Sequence, residues 1–291
     1  MTAKMTAAGR ALESERPDRL FSDPFAAALA GEAGVRWMEE MRLPTTPVEN
    51  PTIGPRTRYF DDLVVGAAST GVRQAVLVAA GMDTRAFRLN LPKEMVVFEL
   101  DEPALLEEKQ IILGHEEATP ICRRVVIPVD LRTDGWTLAL RAVGFDISEP
   151  AVFLAEGLSY YLDEDENARL LDHLARLGAT GSRLGIDMAS RDYLDNPVLA
   201  PFFDLAAARG VQWKFGTNDP EEFLAAHGWR AHVETFDVVG RRYGRWPPPG
   251  VSEEIAARAA TLSRSFVITA DRMLSYGWEE PGSSGLDLRL T

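Results

Sequence analysis

Short apolar runs alternate with helix-patterned stretches from Gln74 to Thr269, and this alternation restricts the possible folds more than any other feature. The runs are Gln74–Ala80, Met95–Leu100, Arg124–Val129, Ala151–Ala155, Arg183–Met188, Ala231–Val238 and Ser265–Thr269. Helical patterns lie between most of them: Glu102–Leu113, Gly135–Val143, Asp165–Leu177, Pro220–Ala226 and Glu253–Leu262. Strand alternating with helix means parallel strands covered by helices on both faces. Val76-Leu77-Val78 and Val96-Val97-Phe98 have no polar alternate, as expected of a doubly covered central sheet. The expected fold is α/β, a doubly wound, mostly parallel sheet of seven strands.

A helical preface precedes this region. Residues 1–16 are polar and small and are expected to fray. From Arg19 to Met41 the apolar residues Leu20, Phe21, Phe25, Leu29 and Trp37 fall near one helix face, with Pro17 and Pro24 marking starts. Four prolines between Leu43 and Pro55 predict an irregular crossing segment. A helix over Arg56–Ser69 follows, with Tyr59, Leu63 and Ala67 in register. The gap from Ala189 to Trp229 is too long for a simple connection, and helices capping a pocket are expected there. These readings divide the chain into a helical cap segment (1–70), a core (71–188 and 229–275), a cap insertion (189–228) and a loose tail (276–291). Trp246-Pro247-Pro248-Pro249-Gly250 is a stiff turn, and no internal repeat is present.

The 291 residues suffice for one large α/β domain with insertions or for two small domains. No apolar run reaches the ~20 residues of a membrane helix, and Met1–Arg10 lacks the apolar centre of a signal peptide, so a cytoplasmic protein without a membrane partner is expected. Cys122 is the only cysteine, which excludes an internal disulfide and reads as a small buried residue. Acidic side chains outnumber basic ones 44 to 31, giving a formal net charge of −13. Such a surface repels phosphate backbones and argues against a nucleic-acid partner.

Ligands of open α/β sheets bind outside the carboxyl ends of the strands, and four of these ends carry acids. Ala79-Ala80-Gly81-Met82-Asp83 follows the first run. Gly81 lets backbone approach a ligand, but the Gly-x-Gly-x-x-Gly of a dinucleotide site is missing, and Asp83 is unsuited to a phosphate. A tight turn with an Asp cap explains this stretch equally well. Asp101, 20 residues beyond Gly81, stands where a carboxylate meets ribose hydroxyls; a helix cap is the simpler alternative. Asp130-Leu131 follows the third run and suits adenine, the acid accepting from the exocyclic amine and the leucine packing on the ring. Glu156 ends the fourth run, where an acid needs a cationic ligand or an arginine beside it. Asp83, Asp101, Asp130 and Glu156 together favour a cationic nucleoside, S-adenosylmethionine, over NAD.

With these residues in view, Arg56-Thr-Arg-Tyr-Phe-Asp-Asp62, Ala80-Gly-Met-Asp-Thr-Arg85, Phe98-Glu-Leu-Asp101, Val129-Asp-Leu-Arg132 and Ala155-Glu-Gly157 resemble the leucine carboxyl methyltransferase family, which includes polyketide O-methyltransferases. The resemblance spans about Asp18 to Asp271. It implies a class I methyltransferase, Rossmann-like sheet with an antiparallel last strand, S-adenosyl-L-methionine as donor, S-adenosyl-L-homocysteine as product, and no metal. It implies cofactor contacts at Gly81, Asp101, Asp130, Leu131 and Glu156. It also implies an arginine for the methionine carboxylate, with Arg56 and Arg58 both open. Members directed at phosphatases carry a lysine before the Asp-Pro-aromatic triplet; Ser22 stands there before Asp23-Pro24-Phe25, which weakens the case for a protein C-terminus as acceptor.

A carboxylate acceptor needs no base, whereas a phenol with pKa ~10 gains from one. His115, His173, His227 and His232 all read as flank or capping residues, which leans toward a carboxylate. Tyr161 follows the fourth strand and is the candidate for orienting the acceptor, packing being the alternative. Phe202, Phe203, Trp213, Phe215 and Tyr243 are candidates for an aromatic acceptor pocket or for cap core. The expected function is O-methylation of a small molecule in secondary metabolism, probed against a protein carboxyl methyltransferase and a non-catalytic nucleoside-binding protein.

Overall fold

The computed structural model describes residues 2–41, 52–262 and 264–273. Most of the expected crossing segment Leu43–Pro55, and the expected tail, lie outside them. Three helices open the chain: α1 (Thr2–Glu15), α2 (Ala26–Glu40) and α3 (Ile53–Ser69). Then come β1 (Gln74–Val78), α4 (Arg85–Arg88), β2 (Val96–Asp101), α5 (Pro103–His115), β3 (Arg123–Pro128), α6 (Trp136–Ala142) and β4 (Ala151–Ala155). The second half holds α7 (Glu164–Leu177), β5 (Arg183–Ala189), α8 (Arg191–Leu194), α9 (Ala200–Ala207), α10 (Pro220–Ala226), β6 (Trp229–Thr235), α11 (Phe236–Arg242), α12 (Glu253–Leu262) and β7 (Ser265–Arg272).

The seven strands form one sheet in the order β3-β2-β1-β4-β5-β7-β6. β1 to β5 pair in parallel, while β7 runs antiparallel to both neighbours. The winding reverses between β1 and β4, which places the switch-point crevice beyond their carboxyl ends. Alternate residues of β1 feed opposite core layers: Ala75 and Leu77 join Leu63 and Leu154, whereas Val76 and Val78 join Phe98, Phe153 and Trp229. Each such side chain contributes about 1.5–3 kcal/mol by leaving water. α7 is started by a reciprocal cap, in which Asp163 accepts from the Glu166 amide and Glu166 accepts from the Asp163 amide, both at 2.8 Å. It buries Leu170, Leu171 and Leu174 on one face. No helix among the described residues is long and apolar enough to cross a membrane.

Two expectations are corrected. Residues 2–15, expected to fray, form α1, whose Ala7 and Ala8 are fully buried. The helix packs on α2 through small residues: a Cβ on Gly34 would stand 2.4 Å from the Lys4 carbonyl oxygen. An alanine face lacks the large apolar residues that make a helical period visible. The run Ala231–Val238 is not one strand either. β6 ends at Thr235, and α11 begins at Phe236 with Asp237 in its first turn, where the helix dipole favours an acid.

Candidate active site

The carboxyl ends of β1, β2, β4 and β5, roofed by α1 and flanked by α3, enclose a cavity of about 970 Å³. That is near the upper end for small-molecule sites, roughly 300–1,000 Å³. Arg56, Gly81, Asp101, Glu156 and Tyr161 all line it. Gly81 turns the chain with φ +47°. Its amide donates to Asp101 Oδ2 at 2.6 Å, and the Glu102 amide donates to Oδ1 at 2.7 Å. Burial pushes the Asp101 carboxyl up, and these two N–H donors only partly offset it. A Cβ on Gly81 would lie 3.1 Å from the Ala3 Cβ of α1. Gly81→Ala is therefore expected to cost about 1–2 kcal/mol from the left-handed backbone alone. Adding Ala3→Gly should recover only the smaller, steric part in a urea titration.

Arg56 is the hub of the cavity wall. Its Nε donates to Glu156 Oε1 at 2.9 Å and its Nη1 to Asp187 Oδ2 at 2.9 Å, with Tyr160 Oη at 3.3 Å. Nη2 makes no hydrogen bond among the described residues. The other oxygen of Glu156 accepts from Arg85 Nη2 at 2.8 Å. Burial alone would raise the Glu156 carboxyl, but the Arg85 and Arg56 guanidiniums outweigh it and hold it below the usual range. Asp187, 2% exposed, goes the other way: burial pushes it up despite Arg56 and the Gly157 amide at 2.6 Å.

Below this wall the ion pairs continue. Arg85 also pairs with Asp61 at 2.8 Å and with Asp83, and Arg88 grips Asp61 with two bonds of 2.6 and 2.8 Å. Burial would raise Asp83, but Arg85 beside it brings it down to about 2. Asp23 accepts from Arg10 at 2.9 Å and from Thr84 at 2.7 Å, tying α1 to the turn after β1. Asp23, Asp61, Asp83, Glu156 and Asp187 thus face the guanidiniums Arg10, Arg56, Arg85 and Arg88, with Asp101 beyond them. Of the cavity-lining residues, the acids Glu39, Asp83, Asp101, Glu102, Glu156, Asp187 and Asp237 outnumber the arginines Arg10, Arg56, Arg85, Arg258 and Arg264, an excess that suits a cationic ligand.

Three sequence candidates lie outside the lining. Arg58 points away from the cavity and binds Asp62 and the Leu20 carbonyl, each at 2.9 Å. Asp130 pairs with Arg132 through two bonds of 2.8 Å at the surface. Leu131 borders a separate pocket of about 30 Å³ with Trp136 and His173, and Leu158 is common to both cavities. None of the four histidines lines the main cavity; His173 turns to Asp134 and His227 to Asp172.

Tyr161 stands on the cavity wall, and burial pushes its phenol up to about 12. It is a neutral hydrogen-bond donor near pH 7, not a base. Tyr193, on the same wall, is likewise pushed up to about 12 by burial. Both values exceed the ordinary ~10, so their contribution to stability is complete below pH 10 and is lost as pH rises from 10 to 12. An absorbance titration should show both phenols protonated at about pH 11 until the chain unfolds. Among the expected aromatics, Phe202 and Trp213 line the cavity. Trp213 stacks on Tyr160 at 4.0 Å and on Tyr193 at 5.6 Å, with Phe203 edge-on at 5.6 Å. Phe215 is buried against Phe223, and Tyr243 bonds Asp62 away from the cavity. Sequence reasoning missed Asp187, Tyr160, Tyr193, Asp61 and the reach of Arg85. An acid inside the apolar run Leu184-Gly185-Ile186-Asp187-Met188 was the available signal for the first.

The strand order, with its crevice at the switch point and an antiparallel β7, is that of the class I methyltransferase fold. The leucine carboxyl methyltransferase profile matches residues 3–175, and the chain belongs to that family. A Streptomyces coelicolor protein named as an S-adenosyl-L-methionine-dependent methyltransferase is 40% identical over 251 residues, covering 84% of this chain and 87% of its own. A Mycolicibacterium smegmatis protein of the same designation is 42% identical over 277 residues, covering 82% and 91%. A crystal structure of a DUF574 family protein from Streptomyces avermitilis superposes with a TM-score of 0.61 at 17% identity, over 94% of this chain and 97% of that one. The protein is therefore an enzyme that transfers a methyl group from S-adenosylmethionine.

Proposed function

We propose that the enzyme methylates a carboxylate or phenolic oxygen of a small molecule, such as a polyketide or another secondary metabolite, and releases S-adenosylhomocysteine. The observation that carries this reading is the meeting of Arg56, Gly81, Asp101 and Glu156 in one cavity whose ionised groups are acid-rich. The cavity fits the donor by its chemistry. The free Nη2 of Arg56 suits a carboxylate, Asp101 suits ribose hydroxyls, and Glu156 suits a cationic centre. Leu131 flanks the adenine end through Leu158, with Asp130 beside it and paired to Arg132 at the surface.

When bound, the donor supplies a methyl group on a sulfonium leaving group. The chain then contributes position and desolvation. Tyr161 donates a hydrogen bond that orients the acceptor oxygen, and the wall of Tyr193, Phe202 and Trp213 excludes water. An aromatic wall, with Ser22 in place of a lysine, favours a small acceptor over a peptide C-terminus. No nucleic acid or membrane is involved in this reading. Tyr161→Phe is expected to lower kcat/KM about tenfold, the loss of one neutral hydrogen bond, with donor affinity unchanged. Calorimetry with S-adenosylmethionine, S-adenosylhomocysteine and NAD tests the donor: no adenosyl binding at about 100 µM would refute the reading. Methyl transfer to a panel of aromatic acids and phenols then identifies the acceptor oxygen.

A further inference from the structure

We propose that Arg85 is a positioning residue for methyl transfer: it grips carboxylates from three separate elements at once and so fixes the Glu156 side chain against the cavity. The inference rests on the placement of Glu156 at the cationic end of the donor. Arg85 is 2% exposed. Nε donates to Asp61 of α3 at 2.8 Å, Nη1 pairs with Asp83 of the turn after β1, and Nη2 donates to Glu156 beyond β4 at 2.8 Å. Its own amide donates to Asp83 Oδ1 at 2.6 Å. Every guanidinium nitrogen is engaged within the protein, so Arg85 acts through Glu156 and not on a ligand.

Glu156 is faced by Arg56 from α3, Arg85 from α4, Asp83 from the turn after β1 and Asp187 from β5, with Tyr160 reaching it through Arg56. One guanidinium sits on each of its oxygens. Without Arg85, Oε2 would confront Asp83 with no cation between them, and the cheapest relief is a proton on Glu156. A protonated Glu156 has no charge to offer a sulfonium or an ammonium. Lysine keeps the charge but cannot hold three carboxylates in a planar fork.

Calorimetric titration of the full chain with S-adenosylmethionine from pH 5.5 to 7, where the ligand's α-amino group (ordinary pKa ~8) stays protonated, tests this. Wild-type affinity should be flat over that range. Arg85→Met should bind about 30-fold more weakly at pH 7 and lose up to about tenfold more per pH unit below the new Glu156 pKa. Adding Glu156→Gln to Arg85→Met should abolish the pH dependence, and Arg85→Lys should restore a flat profile with an affinity about 3–10-fold below wild type. A residue that only stabilises the fold would lower the melting temperature and leave the profile flat, and a flat Arg85→Met profile overturns the proposal. If circular dichroism shows Arg85→Met unfolded, Arg85→Lys decides, and an affinity within twofold of wild type is the overturning result. A wild-type chain that binds no S-adenosylmethionine refutes the donor reading itself, and this proposal falls with it.

Discussion

Asp101→Ala is expected to weaken S-adenosylmethionine binding by about 100-fold or more, the cost of a charged group's hydrogen bonds in a buried site. The carboxylate has two tasks. It is proposed to receive the ribose hydroxyls, and it already fastens the Gly81 turn to the end of β2 through the Gly81 and Glu102 amides. Alanine removes both and leaves two N–H donors without an acceptor. Asp130→Ala is the control: its partner is the exposed Arg132, so a loss below about tenfold is expected. Equal losses at the two positions in calorimetry would mean that the surface pair rearranges on binding, and that Asp130 holds the donor as tightly as Asp101.

Arg56→Leu is expected to destabilise the protein by about 3–5 kcal/mol, because it strands two buried carboxylates. Glu156 would keep only Arg85, and Asp187 would keep only the Gly157 amide. Both would then bind protons more readily in the native chain than in the unfolded one, where carboxylates titrate near 4. The native state would hold the extra protons, so the variant should regain stability as pH falls through the raised values and be weakest above them. Urea denaturation at pH 5.5 and 8 measures this. A deficit independent of pH would show that cavity loss and not charge is the cause. Methyl transfer should be undetectable in the variant, since the proposed donor carboxylate loses its partner.

The sequence made the sheet legible because its inner strands are buried on both faces and read as unbroken apolar runs. The exception proves informative. β6 is one of the two edge strands, with Arg230 and His232 exposed, and its boundary was misplaced into α11. α1 escaped notice because alanines bury a face without a strong hydrophobic period. Gly81, Asp101 and Glu156 were accessible because strand ends fix where they stand. The choice between Arg56 and Arg58 was not, since two residues along a helix are about 200° apart and nothing local says which one faces the cavity. Asp187 and Arg85 were missed for a related reason. Their significance lies in partners 131 and 71 residues away in sequence, which no short window contains.

The position of β7 has a consequence for how the protein is made. Among the described residues β6 pairs with no strand but β7, and β7 is inserted between it and β5. As the chain leaves the ribosome, β6 therefore has no partner until residues 265–272 emerge, and β5 keeps one edge open. Asp187 stands opposite Val267 on that edge, so the acidic wall of the pocket is completed by a strand translated nearly eighty residues later. Such non-local closure is slow and leaves unpaired strand edges exposed to other chains. Shortages of correctly folded enzyme should accordingly trace to lesions in β7, with aggregation arising from the waiting β5 and β6 rather than from the pocket residues themselves.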